Sequence, residues 1–353
     1  MKVGTFFSGI GSPEQALLNL GIKHDIEFAC DIDKYARQTY LKNFDCKKMY
    51  EDITTLNMKD LSYVDLLVFG FPCQAFSMAG KRGGFKDTRG TLFYDALRYL
   101  KQHKPRYFIA ENVKGLLSHD SGKTFQTIID CLASTVNSQM TLMPFDNLGY
   151  HIHFKVLNTK DYGIPQNRER IFILGIRDDK DNNFRFPKEI PLEIKLKDLL
   201  QNNVNDKYYL SKKMIKNITT PSNGNWNSGK MTFNTDIAKC INARVHKMGR
   251  ADTDNYVISH SLYPRSGNPK HGGTGHLSKS DGTSYCLDTG NAQAIQKQNK
   301  IRRLTPIECE RLQGFPDNHT EGVSDTQRYK QCGNTITVNV MEAIFKNLLH
   351  GHS

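Results

Sequence analysis

Residues 3–11, Val3-Gly4-Thr5-Phe6-Phe7-Ser8-Gly9-Ile10-Gly11, join a short apolar run to a glycine-bearing turn, and Ser12-Pro13-Glu14-Gln15 follows at once. The run Val3 to Phe7 has the β-branched and aromatic content of a strand. The next four residues fit a capping box, with Ser12 at the N-cap, Pro13 at N1 and Gln15 at N3. Ala16, Leu17 and Leu20 then supply an apolar helical face, and Gly21 supplies its stop. Ile26 to Cys30 reads as a second strand that closes on Asp31. Strand, glycine turn, helix, strand and terminal acid is the order of a doubly wound α/β unit.

The pattern continues outward. Leu66-Leu67-Val68-Phe69 and Tyr107-Phe108-Ile109-Ala110 are buried-type strands with helical patterns between them, and Ile171-Phe172-Ile173-Leu174-Gly175 is another. The expected fold class is α/β, a mostly parallel sheet with helices on both faces. Residues 185–301 read differently, with clusters of Asn, Ser, Gly and Thr, including Gly272-Gly273-Thr274-Gly275. Thr305-Pro306-Ile307-Glu308 opens another capping box on a helix stopping at Gly314, and a last helix covers Thr337 to Leu349. The expected division is one unit of residues 1–184 completed by 330–353, and a smaller loop-rich unit with its hinge at 185–329.

At 353 residues the chain is long enough for two domains or one elaborated one, and 38% hydrophobic with 24% charged residues excludes a wholly disordered chain. No apolar run approaches a membrane span, and the N-terminus reaches Ser8 and Gly9 before a signal-peptide core can form. A cytoplasmic location without membrane partners is the expectation. The net charge is +12, and residues 185–301 hold 18 Lys and Arg against 9 Asp and Glu, whereas the remainder holds 30 against 27. Such asymmetry suits a polyanion, nucleic acid first, although solvated lysines would give the same count. None of the eight cysteines forms a C-x-x-C pair, which argues against a thiolate zinc site and leaves most as small buried residues.

Four clusters can carry chemistry. Asp31 lies 20 residues after Gly11, the spacing of an acid that accepts ribose hydroxyls. Two glycines rather than three argue against a pyrophosphate cradle and favour a nucleoside without phosphate, a description that S-adenosyl-L-methionine meets. A tight turn with no ligand is the bland alternative. Gly70-Phe71-Pro72-Cys73-Gln74 puts a cysteine just beyond a buried strand, where α/β sites form. A thiol of pKa about 8.5 needs a positive neighbourhood to act as a nucleophile, and Lys81, Arg82, Lys86 and Arg89 follow in a glycine-containing loop. A core cysteine beside a solvated loop is equally readable. Glu111 stands at the end of the Tyr107–Ala110 strand and faces the same crevice, where it can hold or protonate a ring nitrogen, although an ordinary strand-terminal Glu reads equally well. Arg168 and Arg170, two apart on extended chain, point to one face.

Taken together and in order, these segments resemble the DNA (cytosine-5) methyltransferases of bacteria and phages. The carriers are Phe7-Ser8-Gly9-Ile10-Gly11, Gly70-Phe71-Pro72-Cys73-Gln74-Ala75-Phe76-Ser77, Glu111-Asn112-Val113, Gln166-Asn167-Arg168-Glu169-Arg170, Arg303-Leu304-Thr305-Pro306-Ile307-Glu308-Cys309 and Gly333-Asn334-Thr335. The resemblance spans residues 3 to 349 apart from roughly 185–301, where this family places its variable target-recognition domain.

The resemblance implies methyl transfer from S-adenosyl-L-methionine to carbon 5 of a cytosine flipped out of double-stranded DNA. Cys73 would add to carbon 6, Glu111 would hold the N3 and amine edge, Arg170 the O2, and Arg168 would support the site or a phosphate. For the cofactor, Phe7 stacks near the adenine, and Gly9 and Gly11 let the backbone approach the methionine part. Asp31 and Ile32 stand where the family commonly has Glu and Trp. Asp52-Ile53 reads the adenine amine, Pro72 shapes the turn at the thiol, and Asn334 returns to the pocket. In the basic segment Arg244, Arg250 and Arg265 are candidates for guanine edges and Lys247 and Lys270 for phosphates. Lys81, Arg82 and Arg89 are candidates for the DNA backbone.

The expected enzyme is a monomer, an orphan or one half of a restriction-modification system whose endonuclease acts separately. Three other readings are open to the same residues. An RNA cytosine-5 methyltransferase would carry a late Cys-Phe-Thr signature, which is absent. A binding-only relic would have lost Cys73, Glu111 or Arg170. A dehydrogenase would want a fuller glycine motif.

Overall fold

The structure is a computed structural model that describes residues 1–72, 92–137, 139–140, 147–180, 183–211, 232–233, 238–239, 255–258 and 301–349. The elements in chain order are β1 (Lys2–Phe6), α1 (Ser12–Asn19), β2 (Asp25–Cys30), α2 (Lys34–Asn43), β3 (Met49–Tyr50), β4 (Leu66–Gly70) and α3 (Leu92–His103). Next come β5 (Tyr107–Val113), α4 (Lys123–Leu132), β6 (Ala133–Val136), β7 (Gln139–Met140), β8 (Tyr150–Asn158), β9 (Gln166–Asn167) and β10 (Glu169–Arg177). Short strands β11 (Thr232–Phe233), β12 (Ala238–Lys239), β13 (Asn255–Ile258) and β14 (Ile301–Arg303) precede α5 (Pro306–Leu312), α6 (Asp325–Asn334) and α7 (Val338–Leu349).

Nine strands form one sheet in the order β3-β2-β1-β4-β5-β10-β8-β6-β7. The first five run parallel. β10 is inserted antiparallel to both β5 and β8. Helices cover both faces, so a central strand must be apolar on each side. β4 shows this residue by residue. Leu67 and Phe69 enter a core with Phe28, Phe108, Tyr99 and Leu100, while Leu66 and Val68 enter the opposite core with Leu17, Ile344 and Phe345. The order reverses at β1, whose neighbours are β2 and β4; in open α/β sheets ligands bind at the carboxyl ends of the strands beside such a point.

The capping box expected at Ser12 is not made. Gly11 is the N-cap of α1, in left-handed geometry and with no side-chain cap. Ser12 instead donates to the Ile336 carbonyl at 2.7 Å and shares a hydrogen bond with the Thr335 hydroxyl. A long-range partner wins over the local cap because Ser12 and Thr335 are buried against each other. At the other end Gly21, at φ 67°, closes α1 with Gly21 N–H to Leu18 O and Ile22 N–H to Leu17 O. The second capping box is present: Thr305 accepts from Glu308 N–H, and the Glu308 carboxylate accepts from Thr305 N–H.

Part of the stretch expected in the second unit packs on the first. Phe315 shares a core cluster with Ile10, Leu17 and Val338, and the buried His319 bonds to Ile10. Arg302 forms a two-pronged ion pair with the fully buried Glu308, both contacts at 2.8 Å, where β14 enters α5. Among the described residues no helix is long and apolar enough to cross a membrane.

The glycine turn yields a stability test. A Cβ on Gly11 (φ 83°) would lie 2.1 Å from a Phe44 ring carbon, whereas one on Gly9 (φ 55°) would meet nothing closer than Phe7 O at 4.0 Å. Gly11→Ala should therefore lose about 2–4 kcal/mol through strain plus overpacking, and Gly9→Ala only about 1–2 kcal/mol through its left-handed backbone. Denaturant melts compare them, and equal losses would refute this packing account.

Candidate active site

The site is assembled at the carboxyl edge of the parallel strands. Phe7 follows β1, Asp31 follows β2, Phe71-Pro72 follows β4, and Glu111 lies within β5. Because β10 runs the other way, its start, not its end, reaches this edge, which places Arg170 there. β4 and β5 are paired so that Gly70 faces Glu111 across the ladder. The Glu111 carboxylate passes 3.4 Å from where a Gly70 Cβ would be. Arg170 Nε meets Glu111 Oε1 at 3.1 Å, and its side chain also donates to Glu169 O. Burial pushes the Glu111 carboxyl above the usual range, while the guanidinium groups of Arg170 and Arg168 oppose that rise.

Arg168 does not share this exposed face. Its side chain is buried and donates to the carbonyls of Gly333 (3.3 Å) and Thr335 (2.7 Å). The alternation expected for two arginines on extended chain fails because the chain breaks between β9 and β10 at Arg168 itself. Arg168 anchors the C-terminal segment.

The glycine turn is held from several sides. Phe7 (φ 54°), Gly9 and Gly11 are all left-handed, a costly sequence of conformations that outside bonds must fix. Ser8 N–H donates to Cys30 O, and Gly9 N–H donates to Asp31 Oδ2 at 2.8 Å. Asp31 Oδ1 accepts from Asp33 N–H, also at 2.8 Å. Each Asp31 oxygen thus has one backbone donor and a further lone pair. Burial raises the Asp31 carboxyl above its ordinary value, and those two N–H groups partly counter it. Ile32 is 73% exposed beside it. Asp52 Oδ1 caps Thr54 through its N–H and hydroxyl, and Ile53 is buried. The Ser8 hydroxyl is buried and has no hydrogen-bond partner among the described residues. Asn334 is exposed at the end of α6, directly before Thr335, which is tied to Ser12.

Cys73 and the basic loop with Lys81, Arg82, Lys86 and Arg89 lie outside the described residues, as do Arg244, Lys247, Arg250, Arg265 and Lys270. The approach to Cys73 is described: Phe71 is buried, Pro72 is exposed, and Asn112 Nδ2 donates to Phe71 O at 2.8 Å. In the sequence Asn112 stands out only as part of a motif. A buried amide between Glu111 and Val113, at a strand end, was the available signal. Of the described cysteines, Cys30, Cys131, Cys309 and Cys332 are buried, as small core residues are, and Cys46 is partly so.

A profile of the family described as C-5 cytosine-specific DNA methylase matches residues 1–350. Type II methyltransferase M.HpaII of Haemophilus parainfluenzae is 37% identical, with 97% of this chain and 87% of the relative covered. Orphan methyltransferase M.SPRI of Bacillus phage SPR is 33% identical, covering 99% and 98%. Among solved structures, the Dnmt2 methyltransferase of S. pombe superposes with a TM-score of 0.67 at 19% identity, covering 99% of both chains, a likeness of fold. The full-length family match and the extent of these relationships establish that the chain belongs to the C-5 cytosine-specific DNA methylases, enzymes that methylate carbon 5 of cytosine in DNA.

Proposed function

We propose that the chain methylates a cytosine flipped out of double-stranded DNA, with S-adenosyl-L-methionine as donor and Cys73 as covalent nucleophile. The observation that carries the reading is the Glu111–Arg170 pair at 3.1 Å, set over Gly70 only three residues before Cys73. It offers a carboxyl and a guanidinium to one edge of a planar base.

The crevice at β1 and β2 fits the donor. Gly9 leaves open space, and the buried Ser8 hydroxyl has no partner among the described residues. Asp31 retains lone pairs for ribose hydroxyls, Asp52 Oδ2 accepts no bond among the described residues, and the exposed Ile32 offers an apolar face. Phe7, Gly11, Ile53, Pro72 and Asn334 border this same edge in the reading. When bound, S-adenosyl-L-methionine supplies an electrophilic methyl group.

Carbon 5 of cytosine is too electron-poor to take that methyl unaided. The Cys73 thiolate adds to carbon 6 and makes carbon 5 nucleophilic. Glu111, its carboxyl raised by burial, shares a proton with N3 and so draws electron density from the ring during the addition. Arg170 holds O2, and Asn112 fixes the Phe71 carbonyl that leads to the thiol. Loss of the carbon 5 proton and departure of Cys73 complete turnover. Base flipping brings the target to this edge, and the reading of neighbouring base pairs falls to residues 185–301, which hold the basic excess. The enzyme acts as a monomer, beside a separate restriction endonuclease or as an orphan; M.HpaII and M.SPRI represent the two situations among its relatives.

Cys73→Ser should abolish transfer of labelled methyl groups while leaving DNA binding largely intact, because an alcohol is a far weaker nucleophile near neutral pH. Turnover equal to wild type would refute the covalent step. Asp31→Ala should weaken S-adenosylhomocysteine binding by about 1.5–3 kcal/mol in calorimetric titration, through loss of a charged acceptor. Unchanged affinity would refute Asp31 as the ribose acceptor and, with it, the reading of this crevice as the donor site. Grafting residues 185–301 onto a family member of known target sequence should transfer specificity, read by bisulfite sequencing. Methylation of the recipient's original sequence would exclude this segment as the reader. Within it, losing Arg244, Arg250 or Arg265 should cost roughly 1–3 kcal/mol at one target position if that arginine reads a base, and should weaken all sequences alike if it meets phosphate.

A further inference from the structure

The turn that carries Phe7 to Gly11 is tethered from a distant part of the chain. His319 Nε2 lies 2.8 Å from the Ile10 carbonyl oxygen. A carbonyl only accepts, so the proton is on Nε2. His319 is 3% exposed, and its ring lies against Phe315 at 4.3 Å between centroids and near Phe44 at 5.8 Å. Phe44 is the same ring that fills the space beside Gly11. His319 and Phe44 therefore grip Ile10 and Gly11 from one side, while Asp31 holds Gly9 from the other.

The histidine is itself firmly set. The buried Glu310 accepts from Asn318 N–H at 2.7 Å and from Thr320 N–H at 2.9 Å, bracketing His319 in sequence. Asn318 is left-handed at φ 64°. From α2, Asn43 Nδ2 donates to the His319 carbonyl at 2.9 Å and Lys42 Nζ donates to the Asn318 and Glu321 carbonyls. A turn fixed through both its N–H and its carbonyl groups presents the ring to one acceptor.

We propose that His319 is a positioning residue for the methyl donor: its Nε2–H holds the Ile10 carbonyl and so keeps the Gly9–Gly11 turn in the left-handed form that leaves Gly9 open. The inference rests on the reading of this crevice as the donor site. Without the bond, a turn with three left-handed residues in five relaxes, and the donor must reorder it on binding. The chemistry at Glu111 and Cys73 is untouched, so the effect falls on donor affinity and not on the chemical step.

The test uses the full-length enzyme, calorimetric titration with S-adenosylhomocysteine, and steady-state methyl transfer to DNA. His319→Phe keeps the ring packing and removes the donor; His319→Gln returns a donor near the Nε2 position. H319F should bind roughly five- to tenfold more weakly, the scale of one lost buried hydrogen bond, with KM for the donor raised in step and kcat within about twofold of wild type on the same argument. H319Q should recover to within roughly twofold of wild type. Wild-type affinity in H319F overturns the proposal. So does an H319Q as weak as H319F, because ring packing would then be the cause. If H319F does not fold, H319Q decides alone, and a loss beyond roughly tenfold overturns the proposal. Asp31→Ala is measured alongside. Unchanged affinity in that variant refutes the donor-site reading itself, whereas weakened binding there with normal H319F refutes only the role of His319.

Discussion

A guanidinium buried in an apolar interior must find acceptors, and Arg168 finds them in the carbonyls of Gly333 and Thr335, 165 residues and more along the chain. That requirement brings the end of the protein back beneath its beginning. Once Thr335 is there, Ser12 can bond to it and to Ile336. The same return seats Thr337 between Gln313 and Thr159 and lays α7 against α1. Gln166 adds a bond to Leu312 O, so the approach to β10 is joined to α5 as well. The crevice is therefore built from both ends of the sequence, and neither end makes it alone.

The second organising element is the single reversed strand. Five parallel strands deliver their carboxyl ends to one edge, and each can contribute a residue just after its last pairing. An antiparallel strand contributes from its start. β10 does so, and Arg170 meets Glu111 from the neighbouring strand without a loop of its own. Rigid strands on both sides hold the pair in a fixed geometry.

Burial then sets the chemistry. Glu111 and Asp31 both sit where desolvation raises a carboxyl, and each is moderated differently, Glu111 by arginines and Asp31 by backbone N–H groups. Glu14, fully buried in α1, is raised too; its Oε1 accepts from Thr5 and Tyr40 and so ties β1, α1 and α2 together. One physical effect, desolvation, thus acts on an acid paired with arginines, on one held by backbone N–H groups and on one that joins three elements.

The α/β class, the buried strands at Leu66–Gly70 and Tyr107–Val113, the capping box at Thr305 and the final helix were all legible in the chain, because apolar periodicity and turn chemistry are local properties. The motifs themselves were legible for the same reason, as runs of a few residues. What the sequence alone left undecided was every partnership across distance. Ser12 read as a cap and became a link to Ile336; Arg168 read as a twin of Arg170 and became the anchor of the C-terminal segment; His319 carried no signal at all, yet it reaches Ile10. Local propensity is written in neighbouring residues, but a hydrogen bond between residues 10 and 319 exists only after packing has brought two turns together. Tertiary structure decides it because burial, not sequence spacing, determines which donors must find which acceptors.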